Sequence, residues 1–188
     1  MSQQQALEVL AATRGDRVVV TSMSATGIWP ALSRDPLDFH YIPSSMGQAP
    51  ALALGLALAQ PSRGVIVVSG DGSMLMNLGS LVTLANHRAN VHLVILDNGL
   101  YEVTGGQPVV GAGKTDFAGL AHAAGIERAY SFDTLATWKA GAQHAITGTG
   151  PVVISLKVES RMGQQTPKPP RPMAEQIRDL RKALGVSD

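Results

Sequence analysis

The stretch Val65-Ile66-Val67-Val68-Ser69-Gly70-Asp71-Gly72-Ser73 joins an apolar run to a glycine turn that carries a carboxylate. Such a run is typical of a parallel strand that is buried on both faces. A second apolar run, Val91 to Leu96, ends in Asp97-Asn98-Gly99. Because ligands of open parallel sheets bind at the carboxyl ends of the strands, we expect Asp71 and Asn98 to share a site. Their hard oxygen atoms, beside a glycine turn, predict a Mg²⁺ ion that holds a phosphate.

The composition limits the class of protein. A chain of 188 residues can form one domain with a full core, and 45% hydrophobic with 15% charged residues argues against disorder. The net charge of +1 gives no reason to expect nucleic acid or an anionic membrane as a partner. The absence of cysteine excludes a disulfide framework, a thiolate zinc site and a cysteine-bound iron–sulfur cluster. With no signal peptide or membrane span in the pattern, we expect a soluble cytoplasmic domain.

Strand-like and helix-like segments alternate along the chain, which predicts an α/β fold with a doubly wound parallel sheet of five or six strands. The expected strands are 18–20, 39–41, 65–69, 91–96, 127–131 and 152–158, and the expected helices are 3–13, 28–32, 49–59, 73–86, 116–124, 134–147 and 174–184. We expect a single cofactor-binding domain over residues 1–158. Residues 159–188 form a proline-rich basic tail with a C-terminal helix. Residues 99–115 contain five glycines and no periodicity, which favours a functional loop.

A turn rich in small hydroxyl residues, Thr21 to Gly27, follows the first predicted strand. Its side chains and backbone could donate hydrogen bonds to a phosphate. They could equally form the N-cap of the helix that follows. The residues alone leave both interpretations open.

The Gly-Asp-Gly turn, paired with Asn98 at the end of the next strand, resembles the thiamine diphosphate motif of the decarboxylase and acetolactate synthase superfamily. The resemblance covers nearly all of residues 15–158 and corresponds to the diphosphate-binding domain of that family. It implies that Asp71, the Asn98 side chain and the main-chain carbonyl of Leu100 ligate Mg²⁺. Asp97 stands where the family usually has a first Asn. The residues that the resemblance places at the cofactor around this metal are Gly70, Gly72, Ser73 and Tyr101.

A second segment, Ser45-Met46-Gly47, resembles the family segment whose bulky apolar side chain wedges beneath the cofactor. The resemblance makes Met46 the wedge and gives the Ser44 carbonyl a hydrogen bond from the aminopyrimidine. It also places the hydroxyl turn, with Ser22 and Ser24, against the diphosphate. A core position is the alternative for Met46.

Residues 101–108 look like the loop of sulfopyruvate and phosphonopyruvate decarboxylases, which carry a Gly-Gly-Gln element after the metal-binding Asn. Thr104 and Gln107 are therefore candidates to face the substrate, although the glycines could simply shape a mobile loop. The sequence departs from many of these relatives at Gln48, where they have His. That departure makes the substrate less certain than the chemistry.

Thiamine catalysis needs a carboxylate at the aminopyrimidine, and in the family this Glu lies on a separate pyrimidine-binding domain. None of the glutamates here lies in a second α/β unit, so the resemblance implies half an active site. We expect the diphosphate-binding subunit of a hetero-oligomeric decarboxylase, which could self-associate when isolated. The expected partner is a pyrimidine-binding subunit that supplies the Glu.

The expected substrate is a small 2-oxo acid. If it is 3-sulfopyruvate, the products are sulfoacetaldehyde and CO₂. A sulfonate needs cationic or amide-rich surroundings. The candidates for that role are Lys114, Arg161, Lys168 and Arg171, of which the last three could instead belong to a solvated tail that docks on the partner.

Three other functions remain open in the sequence. They are a phosphonopyruvate decarboxylase, an acetolactate-synthase-like carboligase subunit and a non-catalytic cofactor-binding subunit. The lack of cysteine opposes a fourth, the β subunit of a 2-oxoacid–ferredoxin oxidoreductase.

Overall fold

The computed structural model describes residues 1–163 and 165–186, which form eight strands and eight α-helices. The strands are β1 (Val18–Thr21), β2 (Asp38–His40), β3 (Val65–Gly70), β4 (Val91–Asp97), β5 (Leu100–Tyr101), β6 (Gln107–Pro108), β7 (Arg128–Phe132) and β8 (Val152–Lys157). The helices are α1 (Gln3–Thr13), α2 (Ser24–Leu32), α3 (Ala49–Ala59), α4 (Asp71–Leu75), α5 (Gly79–His87), α6 (Phe117–Ala123), α7 (Leu135–Ile146) and α8 (Met173–Ala183).

Six of the strands form one parallel sheet in the order β2-β1-β3-β4-β8-β7. Side chains of α1, α2 and α7 pack on one face, and those of α3, α5, α6 and α8 pack on the other. Consecutive residues of β3 alternate between the two cores, and burial on both sides explains why its sequence is a continuous apolar run. The predicted doubly wound parallel sheet is confirmed.

The register brings the strand ends to the same edge of the sheet. In β3 and β4, Gly70 lies opposite Leu96. In β4 and β8, Asp97 lies opposite Lys157. In β1 and β3, Thr21 lies opposite Val68. The residues that follow β1, β3 and β4 therefore meet at one edge, which is where ligands bind in folds of this type.

The single helix expected over residues 73–86 is wrong. The structure has α4 and α5 instead, with a break at residues 76–78. Asn77 is drawn away from a continuous helix because its side-chain amide donates to the carbonyl of Gly47, at 2.9 Å. Gly79, a poor helix former, begins the second helix. The first helix begins at Asp71, so the Gly-Asp-Gly turn lies at a helix start and not before it.

The loop predicted at residues 99–115 contains regular structure. β5 and β6 pair as an antiparallel ribbon, and a 3₁₀ turn, Glu102–Thr104, lies between them. These elements are short, with two residues in each strand, so they leave no periodicity for a sequence pattern to detect.

The C-terminal segment returns to the sheet. Leu180 of α8 is buried in the core beside β2, and the side-chain oxygen of Gln176 accepts a hydrogen bond from the His40 backbone N–H, at 2.9 Å. Within the described residues, each helix is too short or too polar to cross a membrane.

Candidate cofactor and metal site

The centre of the site is the pair of turns that follow β3 and β4. Asp71 is buried, and its Oδ2 accepts a hydrogen bond from the backbone N–H of Gly99, at 2.8 Å. Asn98 closes its own turn, because its Oδ1 accepts from the backbone N–H of Leu100, at 2.9 Å. The two turns are therefore tied together, and the proposed metal ligands Asp71, Asn98 and Leu100 lie along one crevice.

The charge at this point favours a cation. Burial, together with the neighbouring Asp97 carboxylate, raises the pKa of Asp71 to about 6, although the backbone N–H groups of Gly72 and Gly99 act in the opposite direction. One cation, the Lys157 ammonium, donates to Asp97 Oδ2 at 3.1 Å. Two adjacent carboxylates with one lysine leave a local excess of negative charge, which a divalent ion would neutralise. The described residues include no cluster of three or more His, Cys, Asp or Glu side chains suited to a metal, so amide and backbone oxygens would have to complete the ligand set.

The crevice gathers most of the residues predicted from the sequence, but it is narrow, with a cavity volume of about 20 Å³. That volume is smaller than a diphosphate. The lining residues are Met23, Ser24, Met46, Gly70, Asp71, Gly72, Ser73, Asn98, Leu100, Tyr101, Glu102, Val103 and Thr104.

The two glycines on either side of Asp71 have different surroundings. A Cβ atom at Gly72 would lie 2.4 Å from Cε1 of Tyr101, so the tyrosine ring packs directly on the glycine backbone. A Cβ atom at Gly70 would meet nothing within 4 Å. The backbone at Gly70 is therefore open to an approaching group, as a phosphate site beside a helix start requires.

The segment with Met46 is fastened to the same turn. The backbone N–H of Gly47 donates to Ser73 Oγ, at 2.8 Å, and Gly47 has a φ of +84° that favours glycine. Met46 is half-buried and lines the crevice. The Ser44 hydroxyl is buried and has no hydrogen-bond partner among the described residues. An unpartnered polar atom next to the crevice fits a site that a polar ligand completes.

Three predicted residues lie outside the lining of the crevice. The Ser22 hydroxyl donates to the Val68 carbonyl, at 2.9 Å, and so links β1 to β3 instead of facing the crevice. Gln107 is exposed on β6, and Ser44 is not among the lining residues. Met23, between the two serines of the hydroxyl turn, lines the crevice with a φ of 52°, a backbone conformation that is costly for a residue with a side chain.

Comparison with known proteins identifies this arrangement. The model of the family described as thiamine pyrophosphate enzyme, C-terminal TPP binding domain, matches residues 21–156. The chain belongs to this thiamine pyrophosphate enzyme family. The matched range includes both turns of the crevice, so the cofactor is thiamine pyrophosphate, also called thiamine diphosphate. The resemblance noted in the sequence is confirmed.

Two relatives of this chain are named as decarboxylases. Phosphonopyruvate decarboxylase of Streptomyces hygroscopicus is 40% identical over 81% of this chain and 38% of its own length. The sulfopyruvate decarboxylase subunit beta of Methanothermobacter thermautotrophicus is 40% identical over 55% of this chain and 56% of its own length. The chain thus spans about half or less of these relatives.

Solved structures show the same fold. A putative thiamin diphosphate-dependent enzyme from Mycobacterium smegmatis superposes with a TM-score of 0.70 at 24% identity, over 85% of this chain and 32% of the other. The likeness shows the fold alone and carries no information on substrate.

The basic residues considered for a sulfonate do not meet at the crevice. Arg171 forms an ion pair with Asp179 and lines a cavity of about 780 Å³ between α8 and the connection from α2 to β2. Lys114 lines another cavity, of about 540 Å³, with Lys157. Arg161 and Lys168 are exposed on the tail. The cavity beside Arg171 is therefore separate from the crevice.

Sequence reasoning missed two polar residues of this region. Glu102 and Gln3 are both buried and in contact with each other, although 99 positions separate them. Sequence spacing carries no signal for such a pair. A glutamate inside a glycine-rich loop is the only hint, and it does not indicate a partner.

Proposed function

We propose that this chain is the diphosphate-binding subunit of a two-subunit thiamine diphosphate-dependent 2-oxo acid decarboxylase. The proposed substrate is 3-sulfopyruvate, and the products are sulfoacetaldehyde and CO₂. The observation that carries the proposal is the joined pair of turns, in which Asp71 accepts from Gly99 N–H beside Asn98. The beta-subunit relative supports the subunit role through its name.

Each residue of the crevice has a proposed task. Asp71, the Asn98 side chain and the Leu100 carbonyl would hold Mg²⁺. Gly70 offers open backbone to the diphosphate, and Ser73 keeps the loop with Met46 in place through its bond to Gly47. When bound, thiamine diphosphate supplies the electron sink for loss of CO₂. Thr104, at the rim of the crevice, is the candidate to orient the substrate, and Gln107 would need the loop to move.

The need for a partner is supported by the outward surface of α3 and α5, which we call the α3–α5 face. Residues 49–59 and 76–86 contain no Asp, Glu, Lys or Arg. Leu58 is 53% exposed and Val82 is 60% exposed. A helix that is apolar on every side, as α3 is, is normally covered. This face continues directly from Gly47 and Asn77, which are bonded to each other beside the crevice, so a partner that completes the cofactor site would reach it. We assign the face to the pyrimidine-binding subunit.

The metal assignment is tested by substituting its carboxylate. Asp71→Asn should weaken Mg²⁺-dependent binding of thiamine diphosphate by roughly 100-fold, because the ligand loses its charge. The control is Asp133→Asn, which removes the same charge from an exposed position after β7. Calorimetric titration of the full chain, with and without Mg²⁺, measures both. Equal affinity in Asp71→Asn and wild type would remove Asp71 from the metal site.

The subunit role is tested by assaying CO₂ release from 3-sulfopyruvate. We expect no turnover from this chain alone and turnover after a short pyrimidine-binding chain is added. Substantial activity without any partner would refute the half-site proposal. Binding of the cofactor without turnover under any combination would favour the non-catalytic subunit.

A second candidate function is phosphonopyruvate decarboxylation. The Streptomyces enzyme matches 81% of this chain, a larger share than the beta subunit matches. Parallel assays with both 2-oxo acids separate the two candidates, because both release CO₂ but yield different aldehydes. Accumulation of acetolactate from pyruvate would instead indicate a carboligase.

A further inference from the structure

Glu102 is a buried carboxylate in the middle of the loop that covers the crevice. Glu102 is 3% exposed and lies two positions after Leu100 and two positions before Thr104. A buried carboxylate is costly unless hydrogen bonds satisfy it. The hydrogen-bond donors around Glu102 therefore show which parts of the chain hold this loop in place.

The donors to Glu102 come from two distant parts of the chain. Gln3 Nε2, at the start of α1, donates to both carboxylate oxygens, at 2.8 and 2.9 Å. The backbone N–H of Arg161, after β8, donates to Oε1. The donors are a neutral carboxamide and a backbone amide, and they satisfy both oxygens without placing a cation beside the metal site.

Further contacts make the same connection. The Thr166 hydroxyl donates to the Val103 carbonyl, at 2.9 Å. The backbone N–H of Glu159 donates to the Met1 carbonyl, at 2.9 Å, and so joins the two chain segments that hold Glu102. The loop over the crevice is thus anchored to a platform formed by residues 1–3, 159–161 and 166. The platform lies outside the crevice lining.

We infer that Glu102, through Gln3, is a positioning residue for cofactor binding. It fixes the loop so that the Leu100 carbonyl and Thr104 stand at the crevice, and it limits how far the loop opens to admit a diphosphate. Glu102 itself carries out no chemical step. The inference rests on the proposed function, because it concerns the metal ligand that the proposed function assigns to Leu100.

The contact between Gln3 and Glu102 can be reversed with little change in shape. Gln3→Glu places two carboxylates within hydrogen-bond distance in a buried position, where their like charges repel each other. Exchanging both residues, Gln3→Glu with Glu102→Gln, restores a carboxamide opposite a carboxylate. In the exchanged pair, the carboxamide oxygen at position 102 still accepts from Arg161 N–H. The exchanged chain contains the same amino acids as the wild type, so composition cannot explain a difference.

The experiment compares three full-length variants with the wild type. They are Gln3→Glu, the exchanged double variant and the control Gln4→Glu, which adds the same charge one position along at an exposed site. Hydrogen exchange by NMR follows the Gly106 and Val109 amides, which donate to the Tyr101 and Gly99 carbonyls in the ribbon. Calorimetry follows binding of thiamine diphosphate with Mg²⁺.

We expect Gln3→Glu to speed exchange at Gly106 and Val109 and to weaken cofactor binding by about tenfold or more, as loss of a supporting contact does at metal sites. The exchanged variant should recover the exchange rates and the cofactor affinity to within about threefold of the wild type. General destabilisation would not be rescued in this way. Gln4→Glu should match the wild type. If Gln3→Glu does not fold, recovery in the exchanged variant still decides the question.

Two outcomes separate this inference from the proposed function. A wild-type chain that binds no thiamine diphosphate, with Mg²⁺ and with a partner present, overturns the proposed function and this inference together. A wild type that binds it, with equal affinity in Gln3→Glu or no recovery in the exchanged variant, overturns the inference alone.

Discussion

At the scale of single residues, Gly72 has little room for change. The Tyr101 ring and a methyl group of Val109 pack against its α-carbon. Gly72→Ala should lower the free energy of unfolding by about 1–3 kcal/mol, because an added methyl group overfills the contact. Gly70→Ala is the matched control, since the space beside Gly70 is open, and it should change stability by no more than about 0.5 kcal/mol. Urea denaturation compares them, and equal stability of the two variants would mean that Tyr101 is free to move aside.

The residues that sequence spacing could place are those whose position follows from the strand ends. Asp71 and Asn98 meet because β3 and β4 are neighbours in register. Hydroxyl and amide directions could not be placed in this way. Ser22 turns to the Val68 carbonyl because that oxygen lies on the adjacent strand, and Gln3 reaches Glu102 only after the whole chain has folded. The cofactor and metal roles of these residues remain predictions.

At the scale of elements, β4 carries a buried histidine that makes stability depend on pH. His92 is fully buried, and neither ring nitrogen has a well-formed hydrogen bond among the described residues. Burial, together with the nearby charges of Arg17 and Arg128, lowers its pKa to about 3, and the Ile146 backbone opposes this shift only in part. The folded chain therefore holds His92 neutral at pH values well below the ordinary pKa of histidine.

The sign of the pH effect follows from the depressed pKa. Between about pH 6.5 and pH 3 the unfolded chain binds a proton that the folded chain does not, so stability is full above pH 6.5 and is lost as the pH falls. Each pH unit in that window costs about 1.4 kcal/mol. The raised pKa of Asp71 has the opposite effect, because below about pH 6 it stabilises the folded chain as the pH falls. The His92 effect therefore has to be measured as the difference between the wild type and a variant that lacks His92.

His92→Leu is expected to remove this dependence while keeping an apolar side chain between Ile66 and Val152. Its free energy of unfolding should fall less steeply than that of the wild type from about pH 7 to pH 5. Urea denaturation at three pH values across that range measures both slopes. Parallel slopes would show that His92 is protonated in the folded chain or open to water.

Among the elements, sequence patterns predicted the long ones and missed the short ones. The α3 bounds expected from the sequence agree with the structure, because an alanine- and leucine-rich run is long and uninterrupted. The break between α4 and α5 could not be foreseen, since it depends on the bond from Asn77 to Gly47, 30 positions away. The β5–β6 ribbon was missed because two residues are too few to show an alternating pattern.

At the scale of the whole molecule, the α3–α5 face is the surface that we propose for contact with a partner subunit. The apolar character of α3 was visible in the sequence, but its exposure was not. The interior side of α3 covers β3, as the alternating pattern of a doubly wound sheet requires. The outer side, with Leu58, has no counterpart within the described residues and lies beside the Gly47 loop of the crevice.

Charged substitutions on the α3–α5 face test whether the partner chain docks there. Leu58→Lys together with Val82→Lys should leave the free energy of unfolding within about 0.5 kcal/mol per site, because both side chains are already more than half exposed. A partner that docks on this face would bury the two lysine charges. The variant should therefore not associate with the pyrimidine-binding chain, since the centre of an interface excludes unpaired charge. Self-association of the isolated chain through the same face should be lost as well.

The control is Ile177→Lys on α8, a position that is 45% exposed and lies outside the α3–α5 face. Light scattering of the isolated chains and co-purification with the pyrimidine-binding chain measure association, and thermal unfolding checks the fold. If the double variant assembles as well as the wild type, the partner docks elsewhere, and the apolar face needs another explanation. If the double variant and Ile177→Lys lose association to the same extent, the added charge is responsible and not its location. Only loss confined to Leu58 and Val82 ties this face to the subunit that completes the cofactor site.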